Sequence, residues 1–111
     1  MGDAVRVLVV EDEPVLRGLY QDNLQEHGFA VTAAADGQEG LELLRAQAFD
    51  VVLLDLNMPR LDGLGLLRHM RAEDMEAEAI VLTATAVFLI VWVVQTFWQA
   101  RRKFPGNGVK A

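Results

Sequence analysis

The chain has 111 residues, room for one domain and little else, with a net charge of −6 and no cysteine. That charge argues against a nucleic-acid surface, which needs concentrated Lys and Arg. The absence of cysteine excludes disulfide frameworks and thiolate metal sites and is compatible with a reducing, cytoplasmic setting.

The opening, MGDAVRVLVVEDE, is not the pattern of a secretory signal, because its apolar run is short and leads straight into acid. It also lacks the Ser or Thr at the sixth position that myristoylation expects. Val5 to Val10 form a continuous apolar run rich in β-branched residues, which predicts a strand buried on both faces, as in parallel sheets. After the acidic turn, Pro14 suits the first turn of a helix. Leu16, Leu19, Tyr20 and Leu24 give that helix its stripe, and Gly28 fits its left-handed terminus. Phe29 to Ala34 predict a weaker second strand. Asp36 with Glu39 three residues on is close to a capping box, and Leu41, Leu44 and Ala48 mark the apolar side of a second helix. Asp50 to Asp55 predict a third buried strand, residues 56–63 a loop dense in turn formers, and Leu64, Leu67 and Met70 a third helix. A fourth strand is expected over Ala79 to Ala84. The order βαβαβαβ with short connections and right-handed crossovers predicts an α/β, doubly wound parallel sheet with helices on both faces.

In such sheets the functional residues sit at the carboxyl ends of the strands. Glu11 and Asp12 follow the first strand and Asp55 ends the third. Three converging carboxylates repel one another and need a cation, and a hard divalent ion such as Mg²⁺ suits an all-oxygen set. It would also neutralise an incoming phosphoryl group and orient it for attack by a carboxylate. A solvated acidic loop and a strand-end cap would explain either motif alone, but explain poorly both motifs at these two strand ends.

VLVVEDEP, DVVLLDLNMPRLDGLGLLRHMR and AIVLTAT resemble the receiver domain of bacterial two-component response regulators, over roughly residues 5–85. The resemblance implies a flavodoxin-like fold with Asp55 as phosphoacceptor, a histidine kinase as donor and Mg²⁺ as cofactor. Glu11 and Asp12 would be the acidic pair that holds the metal, and the backbone carbonyl of Asn57 a further ligand. Met58 and Pro59 would shape the loop that Asp62–Gly63 turn into the third helix. Thr83 would be the switch hydroxyl with Ala84 as its small neighbour, although from the residues alone Thr83 is an ordinary strand threonine.

The resemblance weakens after Thr83. A complete receiver has a further amphipathic helix, a fifth strand carrying a phosphate-pairing Lys and a final helix, and the remaining 28 residues do not fit that plan. Lys103 stands about where the Lys would be, but the residues before it make a poor buried strand. No acidic residue follows Glu78, a composition shift that suggests a boundary near 79–84. The organisation expected is therefore a truncated receiver-like domain over 1–84, an apolar helix over 85–103 and a basic tail over 104–111. The run AVFLIVWVVQTFW is apolar all round, with Trp92, Trp98 and the cluster Arg101–Arg102–Lys103 at its end. This reads first as a membrane-associated helix, near the lower length limit for a span, through which a membrane or membrane-protein partner would bind. The alternative is a junction whose helix is buried in the domain or in a homo-oligomer. Two functions follow: a phosphoaccepting switch that is not an enzyme, or a single-span membrane subunit with a vestigial receiver region. A hydrolase ranks third, since His27 and His69 read as surface residues on helices and no nucleophile–base pair is visible.

Overall fold

The computed structural model describes residues 4–55, 63–82, 94–96 and 99. The elements run β1 (Arg6–Val10), α1 (Pro14–Glu26), β2 (Ala30–Ala34), α2 (Gly37–Ala46), β3 (Val51–Asp55), α3 (Gly63–Ala72) and β4 (Glu78–Leu82). The strands form one sheet in the order β2-β1-β3-β4, and every pairing is parallel. The expected α/β architecture is therefore present.

Burial follows from position in the sheet. Val7 to Val10 on β1 and Val51 to Leu54 on β3 are at most 1% exposed, as two central strands covered on both faces must be. Successive side chains alternate between the faces. Leu8, Val10, Val52 and Leu54 join Leu41 of α2 and Leu66 and Met70 of α3 in one cluster. Val7, Val9, Val51 and Leu53 join Tyr20 and Leu24 of α1 in the other. At Gly40 the second helix comes so close to β1 that an added Cβ would lie 3.0 Å from Val10 Cγ2.

The helix ends are built locally. Glu13 caps α1, its carboxylate accepting from the Leu16 amide at 2.8 Å. Asp36 Oδ1 accepts from the Glu39 amide at 2.8 Å, and Glu39 Oε1 accepts from the Ala35 amide at 2.7 Å, a capping box displaced by one residue. At the end of α1, Gly28 has φ 92°. Its amide donates to the Gln25 carbonyl and that of Phe29 to the Leu24 carbonyl, closing the helix with a left-handed residue. The end of α3 repeats this pattern with Asp74 at φ 54°: the Asp74 amide donates to Arg71 and that of Met75 to Met70.

Below the sheet, Asp50 ties three strands together. Its amide donates to the Arg6 carbonyl at 2.8 Å, its carboxylate accepts from the Arg6 amide at 2.8 Å, and its carbonyl accepts from the Glu78 amide at 3.0 Å. The Arg6 guanidinium lies 5.6 Å from the centre of the Phe49 ring.

Three expectations change. Leu19 and Leu64 are 48% and 52% exposed, so neither belongs to the core stripe of its helix. Ala48 lies beyond the end of α2 and is exposed; the packed side of that helix keeps Leu41 and Leu44 and adds Gly37 and Gly40. The membrane reading of 85–103 is not supported. Among the described residues no helix is long and apolar enough to cross a membrane. Moreover Val94, within that stretch, is 0% exposed and belongs to the α1-side cluster with Val7, Val9, Tyr20, Leu24, Val51 and Leu53. The described positions 94–96 and 99 are helical, with Gln95, Thr96 and Gln99 exposed. A residue spent in the protein core cannot also face lipid.

The topology explains why that place needs filling. The right-handed crossover from β1 to β2 lays α1 over one flank of its face. The rest of that face then requires another cover, and Val94 joins the cluster there. The tail over 104–111 lies outside the described residues.

Candidate functional site

From β1 the chain crosses to β2 on one side, then returns past β1 to form β3 on the other. This reversal opens a crevice between the carboxyl ends of β1 and β3, the position where open α/β sheets bind ligands. The β1–β3 pairing runs from Val7↔Val51 to Val10↔Leu54. The next residue off β1 is Glu11, and the next on β3 is Asp55, which itself pairs with Leu82 of β4. Strand register therefore delivers Glu11, Asp12 and Asp55 to one edge of the sheet.

Glu11 is 2% exposed and is the buried charged residue among those described. Its amide donates to the Ala34 carbonyl at 3.1 Å, prolonging the β1–β2 ladder by one bond. Its Oε2 accepts from the Glu13 amide at 3.1 Å. Asp12 is half-buried and Glu13 exposed. The turn is also held from α1: Arg17 Nη1 donates to the Glu11 carbonyl at 3.0 Å and lies 3.4 Å from that of Asp12. Sequence reasoning passed over Arg17, because a cation one turn into a helix ordinarily reads as solvated surface.

Burying a carboxylate such as that of Glu11 is costly unless donors or a cation compensate. The groups gathered here are oxygens, the donor chemistry of a hard divalent ion. Among the described residues no group of three or more acidic or histidine side chains forms a metal cluster. Asp55 is described in its backbone, so the third carboxylate of the expected set lies outside the description, as do Asn57, Met58, Pro59, Asp62, Thr83, Ala84 and Lys103. His27 and His69 are exposed and distant in sequence from this edge: His27 Nδ1 lies 2.9 Å from the Asn23 carbonyl, and His69 Nδ1 lies 3.6 Å from Glu73. The hydrogen bond from Arg45 holds the Glu73 carboxyl below its usual range, and that bond to Glu73 raises Arg45.

Comparison with known proteins agrees with this geometry. Residues 7–95 match the family described as the response regulator receiver domain. The transcriptional regulatory protein CseB of Streptomyces coelicolor is 46% identical over 86 residues, covering 78% of this chain and 36% of CseB. The chain thus spans about a third of the length of that relative. Among solved structures, the response regulator TrrA of Thermotoga maritima, in complex with Mg²⁺ and BeF, is 38% identical with a TM-score of 0.68, covering 74% of this chain and 71% of TrrA. The Vibrio cholerae chemotaxis protein CheY4 is similar at 29% identity and a TM-score of 0.69, covering 74% of this chain and 72% of CheY4. With strand order, crevice and acidic turn all in agreement, the chain belongs to the response regulator receiver domain family of two-component signalling.

Proposed function

We propose that this receiver domain accepts a phosphoryl group on Asp55 from a histidine kinase or a phosphotransfer protein, and that it acts as a stoichiometric switch rather than a turnover enzyme. One observation carries the reading: the β1–β3 register sets Asp55 beside the buried Glu11 and the half-buried Asp12 at the strand-order reversal. An Asp55 carboxylate oxygen attacks the phosphorus of the donor phosphohistidine. The new O–P bond forms as the P–N bond breaks, and the imidazole nitrogen leaves with the electron pair. Glu11 and Asp12 would hold Mg²⁺, which supplies charge neutralisation for the phosphoryl oxygens. The Mg²⁺–BeF complex of TrrA supports this assignment. Asn57 through its carbonyl, Thr83 as switch hydroxyl and Lys103 as phosphate partner complete the reading as proposals from the family pattern.

The donor would dock on α1. Val15 and Leu19, one turn apart, are 69% and 48% exposed beside the acidic turn, an apolar pair suited to a partner helix.

The test is incubation with acetyl phosphate and Mg²⁺, followed by intact mass and hydroxylamine lability. Wild type should gain one labile phosphoryl group and Asp55→Asn none. An Asp55→Asn protein that is still modified would refute the assignment.

A further inference from the structure

We propose that Arg17 is a positioning residue of the acceptor site, a clamp that fixes the acidic turn for cation binding. The inference rests on the reading of Glu11 and Asp12 as metal-holding residues and adds to it a residue that meets the backbone of their turn.

Glu11, Asp12 and Glu13 are three consecutive acidic residues. Their mutual repulsion favours a splayed turn in which the two carboxylates would not share one cation. A turn between a strand and a helix also lacks the continuous ladder that holds either neighbour. Arg17 supplies an external hold. It sits one turn into α1, half-buried, its backbone amide bonded to the Glu13 carbonyl at 2.9 Å. From that rigid base its guanidinium reaches back to the Glu11 carbonyl at 3.0 Å and approaches that of Asp12 at 3.4 Å. Both approaches are made by one nitrogen, Nη1, at the far end of the side chain, so the reach of the arginine sets which carbonyls it meets. Arg17 meets carbonyls, so its own hold on the turn occupies neither carboxylate. The hold is completed from within the turn, where Glu11 Oε2 accepts from the Glu13 amide.

Charge and geometry make opposite predictions. As a mere positive charge near a cation site, Arg17 would weaken metal binding, and its removal would tighten it. As a clamp it prearranges the ligands, and its removal should weaken binding. Residues that orient metal ligands commonly alter affinity by 10- to 100-fold when replaced.

The experiment uses the full chain with Mg²⁺ alone as probe, followed through backbone amide signals, with Asp12→Asn as control. Arg17→Met should bind Mg²⁺ about tenfold more weakly than wild type. Arg17→Lys, which keeps the charge but ends one bond short of Nη1, should recover only part of that loss. In metal-free protein, the Glu13 amide should exchange with solvent severalfold faster in Arg17→Met, while amides of β3 stay unchanged. That readout tests the clamp separately from the metal reading. If wild type shows no Mg²⁺ response that Asp12→Asn removes, the metal reading fails, while the exchange of Glu13 still decides the clamp. Arg17→Met binding Mg²⁺ as tightly as wild type, full recovery by Arg17→Lys, or unchanged Glu13 exchange would each overturn the proposal.

Discussion

The two faces of the sheet are covered by different means. On one, α2 and α3 meet the sheet through Leu41, Leu66 and Met70, each on a helix whose other side carries charge. On the other, α1 contributes Tyr20 and Leu24, and the remaining cover includes Val94, from a stretch with no charged residue between Ala79 and Ala100. The first face is covered by amphipathic helices whose orientation their own pattern specifies. The second draws on a segment whose pattern carries no orientation, so the burial of Val94 is decided by packing and not by the pattern.

The largest expected effect lies at that segment. Val94→Asp should destabilise the chain by roughly 3–5 kcal/mol, since it buries a charge with no partner among apolar side chains. Gln95→Asp beside it, on an exposed position, should stay within about 0.5 kcal/mol. Equal, small effects of the two in urea unfolding would break the comparison by showing that this helix is not part of the core. On the opposite face, Leu66→Ala should cost about 2–5 kcal/mol through the cavity it leaves. Gly40→Ala should cost about 1 kcal/mol, because the new methyl presses on buried Val10 and outweighs the gain in helix propensity. Asp74→Gly should stabilise by about 1 kcal/mol by relieving a left-handed backbone. An unchanged midpoint would show that the Asp side chain offsets that strain.

The smallest effect is electrostatic and links α2 to the end of α3. Arg45 donates to Glu73 from Nε at 3.0 Å and from Nη2 at 2.5 Å. The pair keeps the Glu73 carboxyl below its unfolded value. Its contribution is therefore full above the ordinary carboxylate range and is lost as pH falls through the lowered folded value. Exposed on the surface and screened by salt, it should be modest. Arg45→Met should flatten this part of the stability–pH curve at acid pH and leave neutral-to-alkaline behaviour parallel to wild type.

Much of this was legible from residue pattern. Two continuous β-branched runs marked the strands buried on both faces, and Gly28 marked the end of α1. The positions of Glu11, Asp12 and Asp55 followed from strand ends alone, because parallel topology fixes which edge those ends share. What escaped had physical causes. Leu19 and Leu64 satisfy helical spacing without being buried, since periodicity places a residue near a face but not under a neighbour. Asp74 carries no glycine to announce a left-handed terminus. The length and hydropathy of the apolar run suit lipid and core alike, and only the burial of Val94 in the α1-side cluster distinguishes them. Arg17 was missed because its partners are backbone carbonyls, which leave no trace in side-chain pattern.

The central position of β1 has a consequence for the order of events during synthesis. It is the first of the four described strands to be made, yet it is paired on both edges by later ones, with Val7 opposite Val31 and Val51. At about 5–20 residues per second, its second neighbour arrives roughly 2–9 s after it. Through that interval Val7 to Val10 form an apolar ribbon with an unsatisfied hydrogen-bonding edge. The nascent chain can shelter one side early, through α1 and β2, but the other waits for β3. A strand that becomes the most protected part of the finished domain is thus its most adhesive part while the polypeptide is still growing.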